Sequence, residues 1–397
     1  MEAKGVVSQR LLLPLAFLTA FTLHLLIFSY SPMISPMMFE LGISHVQSGL
    51  ILSMNILMIL ILRFPLGVFI DRVGFMKAIK VAMVLVGLFG FLRGFARNYW
   101  EILFVQSMLG VGFAFILPCL AKMVHVVYAD KVGSATGLYV SGFPVGDIAG
   151  LTLTSHLLGL NLEWRLIFKV FGTWALVLAL MWLLVDWRHQ TAAVKDDFKI
   201  GVKGLIRERI IWVLTGICIC SMGCYDTVLT WLPHILELKS LPLSEASIIA
   251  SMLPIGFLAS GLTIGLISDR LGLRKPFIIA LGSIAGLSIS MLILDLKEVL
   301  WATVLSAGFS LTGILTLVLI VPTEHPRIRD FVGSSIGIIS SLGNSGTLVF
   351  PIIAGFLMDR TGSPTAPTIF LAAISFLASM LGLTMDETGR KKLGSMR

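Results

Sequence analysis

Long apolar runs alternate with short polar breaks along all 397 positions of the chain. Each run is close to the ~20 mostly apolar residues that a helix needs to cross a bilayer. Twelve such runs are predicted as helices, at roughly 11–34, 46–69, 77–96, 100–125, 134–157, 164–186, 210–236, 245–267, 276–295, 299–322, 331–356 and 366–385. The third and ninth are the shortest. The break from Trp187 to Arg209 is the one sizeable polar linker, with Arg188, Lys195, Lys199, Lys203, Arg207 and Arg209. It divides the chain into a first half at 1–186, a linker at 187–209 and a second half at 210–397.

The halves repeat one another. Gly67-Val-Phe-Ile-Asp71-Arg72-Val-Gly74-Phe-Met-Lys77 returns as Gly265-Leu-Ile-Ser-Asp269-Arg270-Leu-Gly272-Leu-Arg-Lys275. Gly, Asp, Arg, Gly and Lys all recur 198 positions on, about half the chain length, and Ser53-Met54 recurs as Ser251-Met252 at the same offset. Two copies of an apolar unit, each interrupted by the same charged loop, are the mark of a secondary transporter built from repeated halves. The predicted fold is an all-α polytopic membrane protein, with twelve transmembrane helices in two pseudo-symmetric six-helix bundles.

Composition agrees. Hydrophobic residues make up 56% of the chain and charged residues 13%, against roughly 25% charged in a soluble domain. The net charge of +8 is spread over loops, without the basic clusters and interleaved aromatics of a nucleic-acid surface, so nucleic acid is excluded as a partner. With the N-terminus inside, 21 Lys and Arg fall in the inside segments and 7 in the outside ones, among them Arg93, Arg97 and Arg165. The positive-inside rule then places both termini, the linker and both charged loops in the cytoplasm, with the chain in the cell membrane. The first apolar run is too long for a cleavable signal peptide. Cys119, Cys218, Cys220 and Cys224 all lie in apolar runs without a CxxC pair. They read as buried thiols, and neither a metal nor a cofactor is expected.

Ionisable groups within spans are costly and mark function by default. Arg63 stands eight residues before Asp71, about 12 Å along the helix at 1.5 Å per residue. His24, Asp147 and Asp226 lie within the first, fifth and seventh spans, and Asn55, Tyr139 and Asn344 add neutral hydrogen-bonding groups. A guanidinium offers a rigid donor fork suited to carboxylates and flat oxyanions. Arg63 therefore has two open roles: binding an anionic solute, or pairing with a buried carboxylate such as Asp147 or Asp226. The carboxylates and His24 are proton-coupling candidates, because a low-dielectric setting retunes their titration.

The loop pair resembles the G-x-x-x-D-R-x-G-x-x-K signature of the major facilitator superfamily, and helix count and repeat spacing extend the resemblance over nearly the whole chain. It implies alternating access to a central substrate site. It also implies gating by Gly67, Asp71, Arg72, Gly74 and Lys77 with Gly265, Asp269, Arg270, Gly272 and Lys275. Within the superfamily, Arg63-Phe-Pro65-Leu-Gly67 and Gly343-Asn344-Ser345-Gly346 resemble the nitrate/nitrite porters, whose equivalent arginine binds the anion. That family's second arginine would fall at Gly261, and Asp147 stands where it has asparagine. Tyr225 to Pro233 is similar to the cyanate/nitroimidazole-type group, and Glu163-Trp164-Arg165-Leu-Ile-Phe168 resembles the W-R-x-x-F start of the sixth span common in the superfamily. These matches imply a small polar or anionic solute; a monomer driven by an ion gradient, with the proton as coupling ion, is the accompanying expectation. A drug or metabolite exporter of the same fold is the alternative, although Gln106 and Leu109 replace the arginine and glutamine of the drug-antiporter motif. A transporter-like sensor that moves no solute is the other. No P-loop, no H-E-x-x-H and no G-x-S-x-G in a strand–turn–helix setting point to an enzyme.

The charge count makes a direct prediction. Single cysteines at Ser240 and Lys195 should react with a membrane-impermeant maleimide from opposite faces; labelling of both from outside excludes this topology.

Overall fold

The computed structural model describes residues 3–185, 204–294 and 297–389. Among these residues helix is the only regular structure, as lipid requires of a chain that must satisfy its backbone internally. The chain divides into two compact units, Met1–Val194 and Lys195–Arg397.

In the first unit α1 (Ala3–Phe28) passes through a 3-10 turn at Ser31–Met33 into α2 (Ile34–Leu41), and Leu11–Leu41 acts as one span. The predicted first span ends at 34; the structure carries it one short helix further, across the break that Pro32 makes. Then follow α3 (His45–Val73), α4 (Phe75–Leu92), α5 (Tyr99–Val127), α6 (Val132–Gly159) and α7 (Trp164–Leu184). The second unit holds α8 (Arg209–Leu238), α9 (Leu243–Leu271), α10 (Lys275–Met291), α11 (Leu300–Glu324), α12 (Val332–Thr361) and α13 (Thr365–Leu383). Ten of these spans are long and apolar enough to cross a membrane by composition alone. The other two are α10, with 17 residues, and α6, with 28 residues rich in Gly, Ser and Thr. The fold is thus twelve-helical, six spans to each unit. Most of the linker falls outside the described residues.

The units share one packing scheme. In the first, α1 packs on α6, α3 on α5 and α4 on α7; in the second, α8 packs on α12, α9 on α11 and α10 on α13. The motif glycines explain themselves at the loops: Gly74 has φ 91° and Gly272 φ 63°, a backbone that an L side chain resists.

The α1–α6 contact is made at backbone level. Gly142, Gly146 and Gly150 recur every four residues on one face of α6. A Cβ at these positions would stand 2.6 Å from Phe17 O, 2.3 Å from Phe21 O and 2.9 Å from Ser29 N. Small residues let helices meet at backbone level where lipid supplies no hydrophobic drive to associate. The second unit repeats the device on α12, where a Cβ at Gly346 would lie 2.2 Å from Ile219 O of α8.

One loop charge of the topology count lies elsewhere than expected. Arg93, at the end of α4, is fully buried. It donates from Nη1 to Leu26 O at 2.8 Å and lies 4.3 Å over the Phe168 ring. The carbonyls in the last turn of α1 lack helical partners, and the guanidinium answers one of them.

Gly146→Ala should lower unfolding stability by about 1–3 kcal/mol, because backbone must move to admit the methyl. Gly137→Ala, on the same helix with nothing within 4 Å, should be neutral or stabilising by up to about 1 kcal/mol. Thermal unfolding in detergent compares the two.

Candidate functional site

The glycine stripe of α6 sets Asp147 directly against α1. Its carboxylate is fully buried, and His24 Nδ1 donates to Asp147 Oδ1 at 2.6 Å, while a quarter of the His24 side chain stays exposed. The pair spans 123 residues of sequence. Close to it, the Phe143 ring lies 4.6 Å from the imidazole and Phe28 5.8 Å from it, with Tyr139 edge-on to Phe143 at 6.5 Å. On the other side of α1, Trp174 Nε1 donates to Thr22 Oγ1 at 2.9 Å and Trp182 Nε1 to Thr19 Oγ1 at 2.8 Å. These bonds tie α7 to α1 and fix its rotation. The arrangement places one carboxylate and one imidazole in a low-dielectric seam, where they can hold or pass a proton.

The second unit places an acid at the corresponding crossing. Asp226 of α8 accepts from Thr347 Oγ1 of α12 at 2.7 Å. Next to it in the chain, Tyr225 packs edge-on against Phe257 of α9 at 5.9 Å. One turn beyond Phe257, a Cβ added at Gly261 would meet nothing within 4 Å. The repeat mate of Arg63 thus brings neither charge nor bulk.

The other predicted residues separate into groups. Tyr139 joins the His24–Asp147 seam. Asn344 is turned on its own helix, Nδ2 donating to Ser340 O at 3.0 Å. Asn55 is buried where α3 meets α5, backing onto Gly110, and its amide atoms and those of buried Gln106 lack partners among the described residues. Arg63 and Asp71 lie in α3; their side chains, and the surroundings of Gly67, lie outside the described residues. Arg72 and Lys77 are exposed.

At the second charged loop the structure brings in residues that the repeat did not single out. Arg274, almost buried, donates to Asp269 Oδ1, to Glu324 Oε1 at 2.6 Å and Oε2 at 2.9 Å, and to Ser268 Oγ at 2.6 Å. The bonds to Glu324 above all hold its guanidinium well above the ordinary arginine value. Glu387 accepts from the backbone of Arg274 at 2.8 Å and of Lys275 at 3.2 Å. Position 274 is methionine in the first copy, Met76, so matching the copies hid it. The available signal was an arginine within an acidic surround at a span end.

The same end of the second unit holds a cavity of about 450 Å³, lined by Glu208, Glu324, His325, Arg327, Asp386 and Glu387 among others. It contains none of the predicted substrate residues. Among the described residues no group of three His, Cys, Asp or Glu could hold a metal ion, and all four cysteines are buried.

Comparison with known proteins identifies the family. The family model described as Major Facilitator Superfamily matches residues 16–344. The 3-(3-hydroxy-phenyl)propionate transporter of Escherichia coli (strain K12) is 24% identical, over 89% of this chain and 87% of that protein. The nitrite extrusion protein of Bacillus subtilis (strain 168) is 23% identical, over 92% of each chain. A crystal structure of the nucleoside transporter NupG superposes with a TM-score of 0.79 at 14% identity, covering 94% of this chain and 99% of that one; it is similar in fold.

A pH prediction follows for the second unit. Burial, helped by Arg327 and opposed by Glu208 and Asp386, pushes the His325 imidazole below its ordinary value. The folded chain then binds fewer protons at His325 than the unfolded one. Its contribution is intact above about pH 6.5 and is lost as pH falls below that. The melting temperature should therefore drop between pH 7.5 and 5.5, and His325→Gln should drop less.

Proposed function

We propose that this chain, which belongs to the Major Facilitator Superfamily, moves a small organic anion through the cell membrane by alternating access, coupled to protons. It is a multi-pass membrane transporter and not an enzyme. The observation that carries the coupled reading is the His24–Asp147 pair. A fully buried carboxylate held by a partly exposed imidazole at 2.6 Å has a path for its proton through that imidazole. A buried pair is also costly to keep without a use. Support for an anionic solute comes from the names of two relatives, a phenylpropionate transporter and a nitrite extrusion protein. Arg63 is the residue for the solute's charge, its fork matching a carboxylate. Gly261 stands where the second arginine of the nitrate/nitrite porters would fall, which argues against a specialised nitrate porter. Asp71 and Arg72, with Asp269 and Arg270, take part in gating at the cytoplasmic side, where both termini lie.

Uptake into proteoliposomes, with 3-(3-hydroxyphenyl)propionate and nitrite as probes, tests this. The organic acid should enter several-fold faster under a pH gradient than without one. Asp147→Asn should abolish that stimulation while leaving solute exchange at equal pH. Uptake indifferent to the gradient in the wild type rejects proton coupling, and transport of neither probe rejects the anion reading.

A further inference from the structure

The rings around the proton-exchanging pair form a ladder along the α1–α6 seam. Tyr139, Phe143 and Asp147 follow one another at four-residue spacing on α6, and His24 and Phe28 do so on α1, so each set shares one helix face. The steps run Phe28 to His24 at 5.8 Å, tilted 50°, His24 to Phe143 at 4.6 Å, tilted 37°, and Phe143 to Tyr139 at 6.5 Å, edge-on at 85°. The two ends are closed: Phe28 and Tyr139 are buried. The middle is open, since His24 is 25% exposed and Phe143 is half-buried. What this seam offers a ligand is therefore a phenyl ring beside an imidazole.

A polyhydroxylated acid would need a different surface. It asks for several amide or hydroxyl partners, each of which must be met or left costly. Here the amides of Asn55 and Gln106 are buried away, and Thr152 bonds back to its own helix at Ile148 O. A flat ring asks only for an aromatic neighbour in offset or edge-on geometry.

We infer that the His24–Phe143 step is a stacking site for the ring of an aromatic carboxylate, and that this ring contact sets the solute class. The inference rests on the organic-anion reading above and sharpens it. It also explains why the phenyl ring stands one turn from the proton-exchanging carboxylate: the solute ring covers the exposed quarter of the imidazole.

Matched acids test it. Benzoate and cyclohexanecarboxylate carry the same carboxylate on a flat and a saturated ring, as do phenylacetate and cyclohexylacetate. Equilibrium binding to purified protein in nanodiscs at pH 7.5 should favour the aromatic member of each pair by about five- to tenfold, the scale of one aromatic contact. Phe143→Leu should bring both ratios close to one. Phe143→Tyr should keep the preference. Equal binding within each pair by the wild type overturns the inference even if the leucine variant fails to fold. So does a preference that survives in folded Phe143→Leu. Binding of none of the four acids overturns the organic-anion reading itself, and the stacking site with it.

Discussion

The backbone-level contact of α1 with α6 is the constraint on which the first unit depends. Lipid does not squeeze helices together, so their association rests on fit and on polar bonds across the contact. The stripe Gly142, Gly146 and Gly150 supplies the fit, with a Cβ excluded at 2.3 Å from Phe21 O. It also decides where Asp147 can go. Directly after Gly146, its carboxylate is carried into the seam and fully buried there. A partner from α1 then has to meet it, and His24 stands there at 2.6 Å. The packing and the ionisable pair are one device.

Internal repetition shows differently in different parts of the chain. The charged loops keep an offset of 198 to the residue, because a short turn with a positive-φ glycine tolerates little change. Gly74 and Gly272 both need that conformation. The packing pairs also recur, helix for helix. Side chains at the crossings have diverged. Thr347 follows Gly346 as Asp147 follows Gly146, and the second unit's acid has moved to the facing helix, at Asp226. Arg63 has Gly261 as its mate. A repeat conserves the backbone approach that makes a bundle and leaves the chemistry on it free to differ between halves.

This is also why the fold was legible in the sequence and the site only in part. Span length, charge asymmetry and the loop pair are local or periodic, and one chain displays them fully. Span ends were less so: α2 extends the first span because Pro32 breaks a helix without ending the membrane path. The ionisable residues could be picked out one by one, His24, Asp147 and Asp226 among them, since any charge in an apolar run stands out. Their partners could not. His24 meets Asp147 across 123 residues, and no spacing rule encodes a contact between different helices. Arg274 does not stand out in the repeat, because Met76 occupies its place in the other copy. Arg93 was counted with the loops because a terminal arginine and a buried one look alike until the helix end it serves is seen.

The two acids differ in what these partners can do. Thr347 donates a hydrogen bond to Asp226, but a hydroxyl does not accept a proton at any ordinary pH. That bond orients Asp226. His24, unlike a hydroxyl, is a side chain that can itself take up a proton. A proton in the first seam therefore has two places to sit, Nδ1 and Oδ1, on two helices that the glycines hold at fixed spacing. Moving that proton changes the charge distribution of the seam without requiring α1 and α6 to separate. The proposed titratable step rests on that geometry in the first unit: one imidazole on one helix stands opposite one carboxylate on the other.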